Sequence, residues 1–421
     1  MRHLTAQNAR PRPRPIFAIA LAVLCLGALR PSPAAGQCML AGGVSKFDPY
    51  PPDATQPFWD NSRISTFYAY QPPSGLRLFS ALPFGYQVLD LADRLHPRPL
   101  GLDDLRIDSP GIVCGGDCHG SIGVSAISAD GKRAIFGLSA LAVSSSPLQT
   151  RVGQLSANGW GFTLRGDMAA ASPWDVLVQR VGSGYVAYTF TNTGVRVADA
   201  TTLPGLNPAA PNGLGPSLAP SLPGGYLATL SGYWITYANG SNIYLVNASS
   251  PFPATALTAQ RFTKTDFGRS SDSLTSFSAA QDPANPAAVY LLGEFADSQS
   301  QHAGYTLIRV QGGAPTVVGS FRPAAGETAT GINSLGADNA GNLFAFMWVR
   351  TPPTTPVIAY RQYTSPVPAF GAASGSFDVT TLGFNLGRPV YVAGTVAGQI
   401  YAYVPGINSG WVVPMNCRGA K

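Results

Sequence analysis

Short strand-like segments recur along this chain at a spacing of about 50 residues. Each unit has a run rich in Tyr, Val, Phe, Ile and Thr, a polar turn, and a second run of similar length, as in GYWITYANGSNIYLVNAS at 232–249. The strand centres of successive units are Phe136, Val186, Trp234, Tyr290, Phe344 and Tyr391. Strand-turn-strand units with this period are typical of a β-propeller or a β-solenoid.

Glycine and proline argue against helices in these units. The chain has 47 Gly and 37 Pro, and their spread interrupts any stretch long enough for several helical turns. Asp130-Gly131 and Asn339-Ala340-Gly341 predict hairpin turns, because such residues supply the positive φ that tight turns need. The intervening runs are β-branched and aromatic, as strands prefer, so the chain is predicted to be all-β.

One more unit precedes the six. FYAYQPPSGLRLFS at 67–80 and YQVLDLAD at 86–93 supply its strands. Seven units then fill residues 50–416, and we predict a β-propeller of seven blades, within a range of six to eight. No linker divides the repeats, so we expect 37–421 to form a single propeller domain.

Several phrases resemble the repeats of bacterial secreted propellers. SADGKRAIF at 128–136 and DNAGNLFAF at 338–346 are similar to WD40-like bacterial repeats. GYQVLDLADRLHPRPLG at 85–101 and GVRVADATTLPG at 194–205 resemble the YVTN-type repeat, in which a strand ends in Asp before a proline-containing turn. The resemblance implies a propeller over most of 65–405 and points to no particular family.

The first 36 residues have the pattern of a secretory signal peptide. Basic residues precede the apolar run IFAIALAVLCLGAL at 16–29, and small residues follow it in RPSPAAGQ. A run of about 14 residues is too short to span a bilayer comfortably, so we expect 1–36 to be removed, with an uncleaved membrane anchor as the alternative. The prediction is a periplasmic or extracellular protein with no integral membrane segment after processing.

The net charge of the chain comes mostly from this leader. The whole chain carries +6, from 27 Lys and Arg against 21 Asp and Glu, and the leader holds five arginines and no acidic residue. The remaining chain is close to neutral and has no basic run, whereas nucleic-acid binding needs a concentrated basic surface. We therefore expect a monomer that binds an unidentified protein or carbohydrate and not a nucleic acid.

Four cysteines remain after the leader, namely Cys38, Cys114, Cys118 and Cys417. An even number in an exported chain favours disulfides, and four cysteines allow three pairings. Closure of a ring brings the two ends of the chain together, so Cys38 and Cys417 are well placed to pair. That pairing leaves Cys114 to form a disulfide with Cys118.

The stretch VCGGDCHG at 113–120 has other interpretations. Covalent c-type haem is attached through Cys-x-x-Cys-His, but here three residues separate the cysteines. Zinc or free thiols are further alternatives, and the two glycines suit the tight loop of a disulfide. On such a rigid loop Asp117 and His119 are candidate ligand contacts.

Acidic residues are concentrated just upstream, in GLDDLRIDSPG at 101–111. Asp103, Asp104 and Asp108 are further candidate ligand contacts, and calcium is the ion that several converging oxygens would suit. EF-hand spacing is absent, and solvated turn carboxylates are the alternative. No metal or other cofactor is predicted, with calcium and haem c kept as alternatives.

Common catalytic motifs are missing from the sequence. It lacks a Gly-x-Ser-x-Gly elbow, a His-Glu-x-x-His zinc motif and a Walker loop. The leading hypothesis is therefore a binding or scaffold protein that works through loops on one face of the ring. The alternatives are a hydrolase or lyase with a site in the central channel, and an electron-transfer protein with haem on Cys114, Cys118 and His119.

Overall fold

The computed structural model describes strands with few other elements. The residues it describes are 38–48, 66–82, 85–104, 120–140, 149–169, 175–191, 194–202, 229–231, 234–239, 242–247, 259–297, 304–351, 359–371, 375–378, 388–406 and 409–417. They all belong to one unit, Gly36–Lys421. Their only helical elements are two short 3₁₀ helices, Lys264–Phe267 and Val367–Ala369, so the predicted all-β class is confirmed. None of these residues belongs to a helix long and apolar enough to cross a membrane.

The first three sheets are antiparallel and use consecutive strands. Sheet 1 contains β3 (Thr66–Tyr70), β4 (Arg77–Leu82), β5 (Gly85–Asp90) and β6 (Arg98–Asp104). Sheet 2 contains β7 (Gly120–Ile127), β8 (Arg133–Ala140), β9 (Gln149–Leu155) and β10 (Phe162–Ala169). Sheet 3 contains β11 (Asp175–Val181), β12 (Gly184–Thr191) and β13 (Gly194–Asp199).

The next three sheets follow the same plan. Sheet 4 contains β14 (Thr229–Ser231), β15 (Trp234–Asn239), β16 (Asn242–Asn247) and β17 (Ala259–Phe262). Sheet 5 contains β18 (Ser273–Asp282), β19 (Asn285–Ala296), β20 (Gly304–Gln311) and β21 (Ala314–Phe321). Sheet 6 contains β22 (Thr328–Ala337), β23 (Leu343–Thr351), β24 (Ala359–Pro366) and β25 (Gly375–Asp378).

Sheet 7 combines both ends of the described chain. It contains β26 (Val390–Ala393), β27 (Gln399–Pro405) and β28 (Gly410–Cys417), with β1 (Cys38–Leu40) and β2 (Ser45–Phe47) paired to β28. The strand that precedes sheet 1 in the sequence is thus built into the last sheet. Such a shared sheet closes the ring of a propeller.

The first strand of each sheet lies innermost in this ring. β3 packs against β7, β7 against β11, β14 against β18, β18 against β22, and β22 against β26. The succession returns to its start because β26 also packs against β3. Sheets that follow one another in this way, each with its strands in chain order, form a β-propeller, as predicted.

The number of complete blades differs from the expected seven. Within the described ranges, six sheets have the four or more strands of a complete blade, and sheet 3 has three. Six complete blades lie at the lower end of the predicted range. The difference arises because the sequence repeat marks pairs of strands, and a pair does not show whether a blade's other strands are present.

The sequence repeat corresponds mainly to the second strands of the sheets. Five of the six repeat centres lie on second strands, namely Phe136, Val186, Trp234, Tyr290 and Phe344. Second strands such as β4 and β23 are buried almost throughout, so they need continuous apolar sequences. Tyr391 instead lies on β26, the first and innermost strand of its sheet. The centre of the last predicted unit is therefore one strand earlier in its sheet than the other five centres.

The phrases that resemble bacterial repeats occupy equivalent turns. Asp130 and Asp338 both lie between the first and second strand of their sheets, and their carboxylates accept backbone N–H groups two residues on, at 3.2 Å and 2.9 Å. Gly131 and Gly341 have φ of 68° and 82°, where a side chain would be strained. The phrases therefore predict the turn correctly, while the type of repeat family is not shown.

A disulfide joins the two ends of the ring. Strand β1 runs antiparallel to β28, with Cys38 opposite Cys417, and the two cysteines are bonded across a sequence separation of 379. This is the pairing expected from ring closure. Cys114 and Cys118 lie outside the described residues, so their pairing stays a prediction.

Candidate functional site

Asp103 is a predicted ligand contact whose side chain the structure describes. Its Oδ2 accepts a hydrogen bond from the hydroxyl of Tyr86 at 2.5 Å, and that hydroxyl accepts the backbone N–H of Phe162 at 2.6 Å. Burial, followed by the Asp103 carboxylate, raises the pKa of Tyr86, which therefore stays a hydrogen-bond donor. These bonds connect sheet 1 to sheet 2, so Asp103 contributes to packing between blades.

The other predicted contacts are not brought into a site. Asp104 ends β6, but its side chain is among those that the structure does not describe. Asp108, Asp117 and His119 lie outside the described residues, as do both cysteines of that loop, so their roles stay predictions. Elsewhere, no group of three or more His, Cys, Asp or Glu among the described residues is placed to hold a metal ion.

A pocket of about 350 Å³ opens between sheets 5 and 6. It lies at the end of the sheets where the first strand turns into the second, beside the turn after β18 and the turn after β22. Most of its wall is apolar and consists of Pro283, Ala284, Leu343, Phe344, Pro366 and Val367. A wall of this kind excludes water and favours an apolar group of a ligand.

The polar end of the pocket is an ion pair beside a tyrosine. Arg309 Nε donates to Asp282 Oδ2 at 2.9 Å, and Arg309 Nη2 lies 2.8 Å from the same oxygen. The other carboxylate oxygen of Asp282 accepts the backbone N–H of Ala284 at 2.9 Å. Burial and the neighbouring Asp282 carboxylate raise the pKa of Tyr290, so this phenol keeps its proton at neutral pH.

Arg309 retains hydrogen-bonding capacity toward the pocket. A guanidinium has five N–H donors, and those of Arg309 are shared between Asp282 and Gln311, whose Oε1 lies 2.5 Å from Nη1. The Arg309 side chain is 30% exposed, whereas that of Asp282 is 7% exposed. The pocket therefore offers donors at its polar end, and the acceptor atoms of Asp282 are already used.

A second group of polar residues surrounds Arg388, just before the innermost strand β26. Arg388 Nη2 donates to the backbone carbonyl of Phe277, on the innermost strand of sheet 5, at 2.6 Å. Burial lowers the pKa of Arg388 to about 10, while the carboxylates of Asp175 and Glu294 favour its charged form. Asp175 belongs to sheet 3 and Glu294 to sheet 5, so Arg388 lies where separate sheets converge, at the central channel.

Glu294 is the buried carboxyl of this group, with 2% exposure. Its Oε1 accepts the Thr275 hydroxyl at 2.9 Å and the backbone N–H of Gly331 at 3.1 Å. Gly331 belongs to an irregular stretch of β22 in which the pairing register with β23 shifts, and this shift lets its N–H reach sheet 5. Burial raises the pKa of Glu294.

Two buried acceptor atoms at this place, Glu294 Oε2 and Asn333 Oδ1, have no well-aligned donor in the described part of the chain. The side chains of Asn333 and Tyr305 are nevertheless close enough to Glu294 to oppose the rise of its pKa. Asn333 is fully buried, and its Nδ2 donates to the Ser276 hydroxyl at 3.1 Å. An unpaired buried acceptor costs roughly 1–3 kcal/mol, so this region of the interface between sheets 5 and 6 is not optimised for stability.

Glu294→Gln is expected to stabilise the fold at pH 7 by about 1 kcal/mol, the usual net contribution of one hydrogen bond. A carboxyl with a raised pKa destabilises the folded state as rising pH ionises it, and the amide removes this cost. The new NH₂ group can also donate to Asn333 Oδ1. Urea unfolding of both proteins at pH 7 and pH 4 tests this prediction. The gain in the free energy of unfolding is expected to be smaller at pH 4, because the carboxyl of the wild type is largely protonated there.

Glu327→Gln is the matched control, because Glu327 is also buried but has partners. Its carboxylate accepts the Tyr363 hydroxyl at 2.7 Å and lies 3.3 Å from Arg361. We expect this variant to lose stability at pH 7. A Glu294→Gln variant that is less stable than wild type at pH 7 contradicts the assignment of Glu294 as a destabilising buried carboxylate.

Sequence reasoning missed the pocket residues and the group around Arg388. These residues are isolated in sequence, and no local motif connects Asp175, Glu294 and Arg388. One signal was present, because the chain has only two glutamates, and Glu294 interrupts the apolar run AVYLLGEF. An acid inside a strand that is buried on both faces requires partners from another blade.

Comparison with known proteins identifies no family for this chain. No family model and no curated protein matches the chain. Solved structures similar to it include the Dos1 propeller (TM-score 0.42, 12% identity, 68% of this chain and 66% of that one). They also include a functionally unknown protein from Desulfotomaculum acetoxidans (0.40, 11%, 75% and 88%) and Sqt1 from Chaetomium thermophilum (0.44, 12%, 84% and 95%). The chain spans just under two thirds of the Dos1 propeller.

Proposed function

We propose that this protein is an exported binding protein that takes an apolar side chain of a protein ligand into the pocket between sheets 5 and 6. The observation that carries this proposal is the pocket itself. Its volume of about 350 Å³ lies within the range of ligand pockets and suits one large side chain. Its apolar wall favours a protein over a carbohydrate, since sugars need many hydrogen bonds.

The position of the pocket supports binding through one face of the ring. The turn after β18 and the turn after β22 both border it, and the same end of each sheet carries the equivalent turn. Arg309 and Tyr290 offer a donor to a carbonyl or carboxylate oxygen of the ligand. A small charged end within an apolar wall fixes the orientation of a side chain that enters.

Export is part of the same proposal. Disulfides persist in oxidising compartments, and the Cys38–Cys417 bond supports removal of 1–36 and a periplasmic or extracellular location. We further propose a second disulfide between Cys114 and Cys118. Sheet 3 acts as a seventh blade in this proposal, because its first strand packs against that of sheet 2 like those of the complete blades.

The sequence also allowed two other functions, a haem-carrying electron-transfer protein and a hydrolase or lyase. Haem binding needs Cys114, Cys118 and His119, which lie outside the described residues. A hydrolase or lyase needs titratable groups in the channel. Arg388 is one such group, while Glu294 is buried at the interface between sheets 5 and 6. A carboxyl with a raised pKa is suited to general acid catalysis, so a turnover that Glu294→Gln abolishes would identify an enzyme.

Ala284→Trp is expected to block the pocket. Ala284 lies in the exposed turn at the pocket wall, so a large ring there occupies the space without disturbing the core. We expect N-acetyl-tryptophanamide to show saturation-transfer NMR signals with the wild-type protein and at least tenfold weaker binding to the variant. Methyl glucoside, as a carbohydrate probe, is expected to show no signal.

Ala157→Trp is the control for this experiment, because Ala157 lies in an exposed turn of sheet 2, away from the pocket. It is expected to bind N-acetyl-tryptophanamide like the wild type. Equal binding by all three proteins, or no binding by the wild type, would overturn the proposal. Binding of the glucoside that Ala284→Trp removes would assign the pocket to a carbohydrate instead.

A further inference from the structure

We propose that Arg388 forms a second binding site, in the central channel, for a small oxyanion such as a carboxylate or a phosphate. This site is separate from the pocket between sheets 5 and 6 and does not depend on it. The inference starts from the place of Arg388 in the ring. Arg388 precedes the innermost strand of sheet 7, and its Nη2 donates to the Phe277 carbonyl on the innermost strand of sheet 5, so the guanidinium lies in the channel between these strands.

Arg388 differs from the paired arginines of this protein. Arg77, Arg269, Arg309 and Arg361 each have a carboxylate oxygen at 2.7–3.3 Å. Arg388 has no carboxylate within 4 Å among the described residues, and its one hydrogen bond there goes to the Phe277 carbonyl. Since a guanidinium has five donors, Arg388 has donors to spare for a ligand.

The Phe277 carbonyl holds the guanidinium in a fixed place. Strand β18 is innermost in sheet 5, so one of its edges has no neighbouring strand within that sheet. The carbonyl of Phe277 accepts Arg388 Nη2 at 2.6 Å. An anchored guanidinium loses little entropy when a ligand binds, and its planar fork matches the two oxygens of a carboxylate or phosphate.

Tyr391, three residues further along the chain, is not a donor to this site. Its hydroxyl oxygen accepts the indole N–H of the buried Trp348 at 3.1 Å, and its ring stacks on Phe346 with ring centroids 3.8 Å apart. Trp348 and Phe346 belong to β23 and to the buried cluster between sheets 6 and 7, so Tyr391 packs between blades and Arg388 supplies the donors of the site.

The carboxylates near Arg388 keep its guanidinium charged but do not pair with it, so they do not occupy the place of an anionic ligand. Asp175 and Glu294 help to keep the guanidinium charged, but neither lies within 4 Å of it. Tyr68 donates its own hydroxyl to the Ser125 carbonyl, so it is not a donor to the ligand.

Arg388→Gln is expected to bind oxyanions at least tenfold less tightly than the wild type. Isothermal titration calorimetry with inorganic phosphate and with succinate distinguishes the two sources of the oxyanion. We expect the wild-type protein to bind one or both. Tyr391→Phe, which removes a hydroxyl that lies between sheets 6 and 7, is expected to bind like the wild type.

Arg350→Gln is the matched control, since Arg350 is exposed at the end of β23 and its loss changes the net charge equally. It should bind like the wild type, as should Ala284→Trp. If Arg388→Gln fails to fold, Arg388→Lys replaces it, because lysine keeps the positive charge but lacks the planar guanidinium. This variant is expected to fold and to bind the oxyanion more weakly than the wild type. The proposal is overturned if the wild type binds neither anion, or if Arg350→Gln or Ala284→Trp weakens binding as much as Arg388→Gln.

Discussion

Replacing Cys38 and Cys417 with serine is expected to lower the free energy of unfolding by roughly 5 kcal/mol. The bond joins residues 379 apart in sequence, so it restricts the unfolded chain far more than a local disulfide does. The bond also holds β1 against β28, where Cys38 lies opposite Cys417. Its loss leaves the pairing of the short strands β1 and β2 with β28 to close the ring without a covalent link.

Urea unfolding of the oxidised wild type and the double variant measures this effect. Either single variant removes the same bond, so Cys38→Ser and Cys417→Ser are expected to be as unstable as the double variant. Reduction of the wild-type protein should produce a loss of at least the same size. A double variant within about 1 kcal/mol of the wild type, the size of an ordinary single substitution, would show that the pairing of β1 and β2 with β28 closes the ring without the bond.

Phe79→Ala is expected to lower the free energy of unfolding by about 3–5 kcal/mol. Phe79 lies on β4, is fully buried, and belongs to the aromatic group between sheets 1 and 2. Its ring centroid lies 4.9 Å from that of Tyr86, 6.1 Å from that of Phe136 and 6.4 Å from that of Phe162. Removal of the ring leaves a cavity that three other rings cannot fill, because each is held by its own strand.

Leu100→Ala is the control for this prediction, because Leu100 lies on β6 of the same sheet and is 38% exposed. Its loss is expected to cost about 1 kcal/mol or less. Thermal and urea unfolding of both variants give the comparison. Similar losses for the two would indicate that the interface between sheets 1 and 2 repacks after truncation and does not depend on stacked rings.

The strands and turns were predictable because their causes are local. Second strands buried on both faces need continuous apolar sequences, which is why Phe136, Val186 and Phe344 stand out at a regular spacing. Asp130-Gly131 and its equivalent at Asp338 predict a turn because the carboxylate and the glycine act within a few residues. The spacing of second strands therefore revealed a propeller before any contact between blades was known.

The number of complete blades and the candidate sites were not predictable in the same way. Sheet 3 has three described strands although its sequence unit resembles the others. The proposed oxyanion site joins Arg388 to the carbonyl of Phe277, and no spacing along the chain relates the two. Phe277 lies within β18 and Arg388 just before β26, so these residues meet only when the ring closes.

The sequence by itself determined the all-β class, the repeat and the turns, because each follows from burial or backbone conformation. It left three cysteine pairings open, and the tertiary structure decided that Cys38 bonds to Cys417. The tertiary structure alone decided that Asp282 and Arg309 form one end of a pocket with Phe344. It also decided that Arg388 stands in the channel with donors to spare. The physical reason is that a propeller brings together residues from different blades, and the contacts between blades depend on how all the sheets pack around one axis.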